Sequence, residues 1–318
     1  MHLKRVNNIG LKKVVFYFCC LVFVCLADRA AAQGAAPAAN VPAISGENLE
    51  RFHIMEDSML VTIDSAYNAF IPDTRYDYCE RFVKQLVRTL KIEKSYLYPF
   101  DKLKEKINIT VPDDNAFRVF NWDIAPTEVS RRYYGAIQMN APQLRLFPLI
   151  DYSDEMKKGT EDSVLTGGKW LGALYYRIIT HEVDGRKVYT MFGVNSGNPI
   201  SNKKFMDPML LTADGPVFGA QIFNVKASGA PNRYVNRFVM EYKKEVQAGL
   251  NWDEERQMVI FDKLVSQVND PNRKYTYVPS GAYDGFKWEQ DHWAYQPDII
   301  PILNLKDGEA PSGTQPEK

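Results

Sequence analysis

The side chains able to do chemistry in this 318-residue chain are few and scattered. Three of the four histidines, His53, His181 and His292, lie beyond residue 32, and none has a second histidine at metal-ligand spacing. His181-Glu182 begins like a zinc motif, but Val183-Asp184-Gly185 follow, so H-E-x-x-H fails. A cysteine cluster and a calcium loop are absent, and Gly168-Lys169 lacks the glycine and hydroxyl residue of a phosphate loop. Neither G-x-S-x-G nor G-x-G-x-x-G occurs. No metal and no cofactor are expected. Asn108-Ile109-Thr110 matches a glycosylation sequon and carries no weight in a chain with a bacterial-type leader.

Paired carboxylates are the enzymatic option that remains. Glycoside hydrolysis needs two acids across a cleft, one kept protonated by apolar neighbours. Asp123 beside Trp122, and Asp284, Glu289 and Asp291 among Tyr283, Trp288, Trp293 and Tyr295, are the acids placed among aromatics. No spacing selects a pair, so a carboxylate-based hydrolase is the alternative rather than the leading reading. The aromatic stretch Tyr277–Pro297 supports a different chemistry, stacking and apolar contact with a glycan, a peptide or another protein. Its candidate binding residues are Tyr283, Trp288, Asp291, His292, Trp293 and Tyr295. The competing reading makes these rings core, where large aromatics usually reside.

The compartment comes from the N-terminus. Lys4, Arg5, Lys12 and Lys13 precede an apolar run, Val14 to Leu26, that is too short to span a bilayer. Ala30-Ala31-Ala32 then supply small residues before Gln33, so residues 1–32 read as a cleaved export signal. Lipidation at Cys25 is the variant, disfavoured because Phe23 and Val24 stand where a lipobox wants small residues. The whole chain holds 39 basic and 39 acidic residues. The signal carries five basic residues and one acid, which leaves 34 and 38, a net of −4. That balance excludes nucleic acid as a partner. No later run is long enough for a transmembrane span. Cys19, Cys20 and Cys25 leave with the signal, and the remaining Cys79 belongs in the core as an unpaired, buried thiol.

Two kinds of element must position these residues. Residues 33–46 are an Ala/Pro-rich tether and 305–318 a polar Pro/Gly tail. Over residues 47–112 the period is helical. Leu49, Phe52, Met55, Met59, Ile63, Ala66 and Phe70 form one stripe, and Cys79, Phe82, Val83, Leu86, Val87 and Leu90 a second. Pro72 separates them, Asp73 is placed to cap the second helix, and a short third helix is expected near 103–107. From 113 to 304 the period becomes two. Strands are expected at 117–123, 132–139, 143–150 and 257–264, with hairpins about Asp184-Gly185 and Asp214-Gly215. Residues 238–252 read as one long strand with apolar even positions, interrupted by Lys244, and 283–295 as the last strand. Nine or ten such strands are too many for one flat sheet. The predicted fold is α+β, mainly β: a helical hairpin packed on a large antiparallel meander that forms a curved sheet, a sandwich or a partial barrel.

Four stretches, VFNWDIAP, MFGVNSGNPISNKKFMDPMLL, RFVMEYKKEVQAGLNWDEERQMVIFDKLV and YVPSGAYDGFKWEQDHWAY, resemble a family of uncharacterised exported proteins of Bacteroidota. The likeness covers most of residues 115–297. It implies a Gram-negative envelope location, in the periplasm or at the outer-membrane periphery rather than fully secreted, and brings no activity, cofactor or catalytic residue. A non-catalytic envelope binding module is the expected function, with the hydrolase and a subunit of an envelope assembly as alternatives.

Overall fold

The computed structural model describes residues 43–156, 159–225 and 233–300. The expected export signal, with Cys25, the tail 305–318 and nearly all of the tether lie outside the described residues.

Two helices come first. Helix α1, Gly46–Asn68, starts where the Ser45 hydroxyl accepts from the Asn48 backbone N–H. Helix α2, Pro72–Leu90, has Pro72 in its first turn and Ile71 at the cap position. Asp73 therefore lies inside the first turn, facing the positive end of the helix dipole, and is not the cap expected of it. Phe52, Met59, Ile63 and Ala66 of the first stripe are buried, as are Cys79, Phe82, Leu86 and Leu90 of the second. Phe70 departs from its stripe: α1 has already ended, and the ring is 95% exposed in the turn. Glu56, between Phe52 and Met59 on the same face, is also buried, its carboxylate accepting from Tyr98 Oη at 2.5 Å and Leu103 N at 2.9 Å. The third helix is only a 3-10 turn, Leu103–Glu105, and β1, Asn108–Thr110, already belongs to a sheet inside the segment expected to be helical.

The strands split into three stacked sheets. The first joins β1, β2 (Phe117–Ile124), β3 (Arg132–Met139) and β4 (Leu146–Ile150) in sequence order. Its residues alternate between two covered faces. Phe120, Trp122 and Ile124 pack on the helices, while Phe117, Val119, Tyr133 and Ile137 pack on the second sheet. That second sheet runs β5 (Leu165–Thr166), β9 (Gly215–Phe218), β8 (Ser201–Thr212), β7 (Arg186–Asn195) and β6 (Leu174–Val183), with β12 (Phe238–Lys243) also on β8. It too has both faces covered: Tyr189 and Met191 face the first sheet, Val188 and Phe192 the third. The third sheet runs β11 (Tyr234–Val235), β10 (Phe223–Asn224), β16 (His292–Ile300), β15 (Tyr277–Glu289), β14 (Met258–Ser266) and β13 (Leu250–Asp253). Splitting, not curling, is how the meander avoids a single flat sheet. Among the described residues no helix is long and apolar enough to cross a membrane.

Two expected strands are each divided. Residues 238–252 supply β12 to the second sheet and β13 to the third. The even-position alternation survives the corner because Met240 and Tyr242 from one side and Ala248 and Leu250 from the other fill the same core layer. Lys244, the interruption, sits at the corner and donates to Ser196 O and Asn198 O. Residues 283–295 belong to a hairpin, β15–β16, whose turn lacks glycine; Gln290 takes the positive φ of 54°. The Asp184-Gly185 hairpin is as expected, with both residues at positive φ.

Candidate functional site

The β15–β16 ladder places Trp288 directly across from Trp293 and Phe286 across from Tyr295, on the face that fills the core between the second and third sheets. Trp293 is 0% exposed, and its indole N–H donates to Thr190 Oγ1 at 3.1 Å. It cannot serve as an exposed stacking platform, and this corrects the expectation for it. Trp288 is half-buried and lies flat against His181 of β6, with centroids 3.7 Å apart and planes at 15°. Burial pulls the His181 pKa down to about 4. Tyr295 donates to Asp284 at 2.5 Å, and Tyr283 is half-buried on the interior strand β15, across from Asp262 and Ile300. Asp291 is exposed in the turn, where its carboxylate meets His292 Nδ1 at 3.0 Å. The six residues therefore share one hairpin but offer no common flat surface.

The acids do not converge either. Asp123 is in the first sheet, paired with Arg131 at 3.1 Å, and burial raises its pKa. Asp284 is in the third sheet, accepting from Tyr295 and from the Asp298 backbone N–H at 2.8 Å. The second sheet lies between them. Among the described residues no group of three or more His, Cys, Asp or Glu side chains is arranged to hold a metal ion. The sequon is occupied structurally, because Asn108 Nδ2 donates to Tyr175 O.

A cleft opens instead at the rim of the second sheet. Its floor is one face of the β8–β12 ladder, where Lys203 pairs across from Glu241 and Phe205 from Val239. The volume is about 410 Å³. A second hollow of about 320 Å³ continues it past Thr160 to Lys274, sharing Lys203, Val239 and Glu241. Period-two alternation puts these four side chains on one face, and the floor carries a charged rung beside an apolar one. Lys203 and Glu241 form no ion pair with each other; Glu241 accepts from Ser201 Oγ at 2.6 Å.

Both walls are tied down. One is the turn Asn195–Pro199. Asn195 Nδ2 donates to Leu171 O and Gly172 O, its Oδ1 accepts from Gly197 N, Ser196 N donates to Tyr133 Oη, and Lys244 reaches Ser196 O. The other begins at Asp151, whose carboxylate accepts from Tyr133 N, Ser153 N and Ser153 Oγ. Gly172 has a φ of 62°, and a Cβ there would lie 2.3 Å from Asp151 Oδ1, so glycine is obligatory beside that wall.

Beneath the second wall lies a fully buried ion pair, Arg237 Nε to Asp207 Oδ1 at 2.7 Å. Along one edge of β8 the partner changes from β12 to β9 between Met206 and Met209, and the Arg237 guanidinium fills the seam. Its Nη1 donates to Thr160 O and Ser163 Oγ, and Glu161 O accepts from the N–H groups of Asn236 and Arg237, so the pair anchors the wall. Tyr175 Oη completes the network, accepting from Trp170 Nε1 and reaching Asp207 at 3.3 Å. Burial pushes the Asp207 carboxyl upward, against the pull of Arg237.

None of this cleft was among the sequence candidates. The signal lay in the odd positions of 238–252, where Val239 stands as an apolar residue on the expected wet face. Comparison with protein-family models, curated proteins and solved structures finds no match.

Proposed function

We propose that this chain is an exported, non-catalytic binding module of a Gram-negative envelope, and that its cleft holds an extended segment of a partner polypeptide. The observation that carries the reading is the floor itself, a charged rung, Lys203 and Glu241, beside an apolar rung, Phe205 and Val239. An extended chain presents side chains at the same period of two. Opposite charges on the ligand can pair with Lys203 and Glu241, which do not neutralise each other. A glycan is disfavoured because sugar stacking needs an exposed ring face, and Phe205, the aromatic residue lining the cleft, is itself buried. Export is supported by the basic segment, apolar run and Ala30–Ala32 site at the N-terminus.

Selection of phage-displayed random dodecapeptides on immobilised residues 33–318, beside a glycan array, tests this. The expected result is a peptide consensus that is lost on Val239→Glu and no retained glycan. Retention of a glycan, or equal peptide enrichment on the Val239→Glu variant, sinks the reading.

A further inference from the structure

The outer side of the helical hairpin carries a second concave feature that shares no residue with the cleft. Between α1 and α2 lies a hollow of about 150 Å³ lined by Arg51, Ile54, Met55, Arg88 and Ile92. A cavity of roughly that size takes a benzene ring. Arg51, Ile54 and Met55 stand at i, i+3 and i+4 on one face of α1, and Ile54 is 61% exposed although apolar. Arg51 donates to the neutral Asn48 Oδ1 at 3.1 Å, and among the described residues neither arginine takes part in an ion pair. Arg51 and Arg88 both line this small, mainly apolar hollow, and no acidic residue is among its lining residues. An anion bound beside them is attracted by both positive charges.

We infer that the hairpin docks a partner polypeptide through one large apolar side chain flanked by carboxylates. The apolar group fills the hollow over Met55 and Ile92, and the carboxylates take the two planar, forked donors of Arg51 and Arg88. Charge complementarity selects an acidic partner and rejects a basic one. A fatty acid has the same two chemical parts, so the test must separate it.

The test is fluorescence polarisation on the intact chain with a dye-labelled eight-residue peptide of alternating leucine and glutamate. A leucine–lysine peptide and unlabelled decanoate are the comparison arms. The expected result is saturable binding of the leucine–glutamate peptide, weakened at least tenfold by Arg51→Gln or Arg88→Gln, with no binding of the lysine peptide and no displacement by decanoate. Both arginines are exposed, so the melting temperatures of the variants should match wild type. No binding by wild type, equal binding by both arginine variants, or displacement by decanoate overturns the inference. Loss of binding on Val239→Glu also overturns it, because that places the peptide in the cleft.

Discussion

Asp207→Ala isolates the Arg237 guanidinium in a fully buried seam. The remaining partners are the Thr160 carbonyl, the Ser163 hydroxyl and the Ser163 carbonyl, at 2.5, 3.2 and 3.5 Å, which satisfy hydrogen bonds without neutralising a charge. Nη2 already has no partner. Breaking one side of such a pair costs about 3–5 kcal/mol, because the other charge is left uncompensated in low dielectric. With a urea slope of about 3 kcal/mol per M, a loss of about 4 kcal/mol moves the midpoint down by about 1.3 M. Replacing both partners, Asp207→Leu with Arg237→Met, should restore stability to within about 1 kcal/mol of wild type or raise it, since the desolvation cost vanishes with the charges. Urea unfolding followed by tryptophan fluorescence reads both variants. An Asp207→Ala midpoint within about 0.3 M of wild type, or a double variant as weak as the single one, refutes the argument that the charge is isolated.

Three further outcomes follow from the same packing. His181 is held neutral, its pKa lowered from 6.5 to about 4 by burial, so the unfolded chain binds the extra proton in that window and stability falls as pH drops from 6.5 toward 4. His181→Phe should flatten the wild-type slope between pH 6.5 and 5, and identical slopes would show that the imidazole is not buried. Burial pushes the Cys79 thiol up to about 11, so in residues 33–318 Ellman's reagent should react only after unfolding; rapid labelling of the native protein contradicts this. Trp293→Ala should cost about 3–5 kcal/mol and Met240→Asp a comparable amount, while Lys243→Asp stays within about 0.5 kcal/mol; similar melting temperatures for Met240→Asp and Lys243→Asp would show that the alternation of β12 is misassigned.

The helices and the strands with one covered face were legible because that face imposes one period. Phe52, Met59 and Ile63 declare a helix, and Asp184-Gly185 declares a hairpin, from the local chain alone. The number of layers was not legible. A strand covered on both faces, such as β2 with Phe117, Val119, Phe120 and Trp122 all buried, announces burial without saying what covers each side. Tyr283–Tyr295 looked continuous because the β15–β16 turn uses Gln290 where glycine or asparagine is the usual mark. The aromatic residues of that stretch were found, but their roles depended on the hairpin, which turns Trp288 and Trp293 toward the same layer. The cleft escaped because its floor needs β8 and β12 side by side, a pairing of residues about 40 positions apart that no local spacing encodes.

The stack also has a direction in time. Its layers follow chain order, helices, then the first sheet, then most of the second, then the third. A chain that folds from its N-terminus onward can deposit each layer on a surface already finished, with only the most recent layer exposing bare apolar side chains. The exception is β12, which returns to the second sheet after β10 and β11 have formed part of the third. That late insertion brings Arg237 to Asp207 and completes the cleft floor at the same stroke. In chain order, the cleft floor is thereby the last part of the middle layer to form.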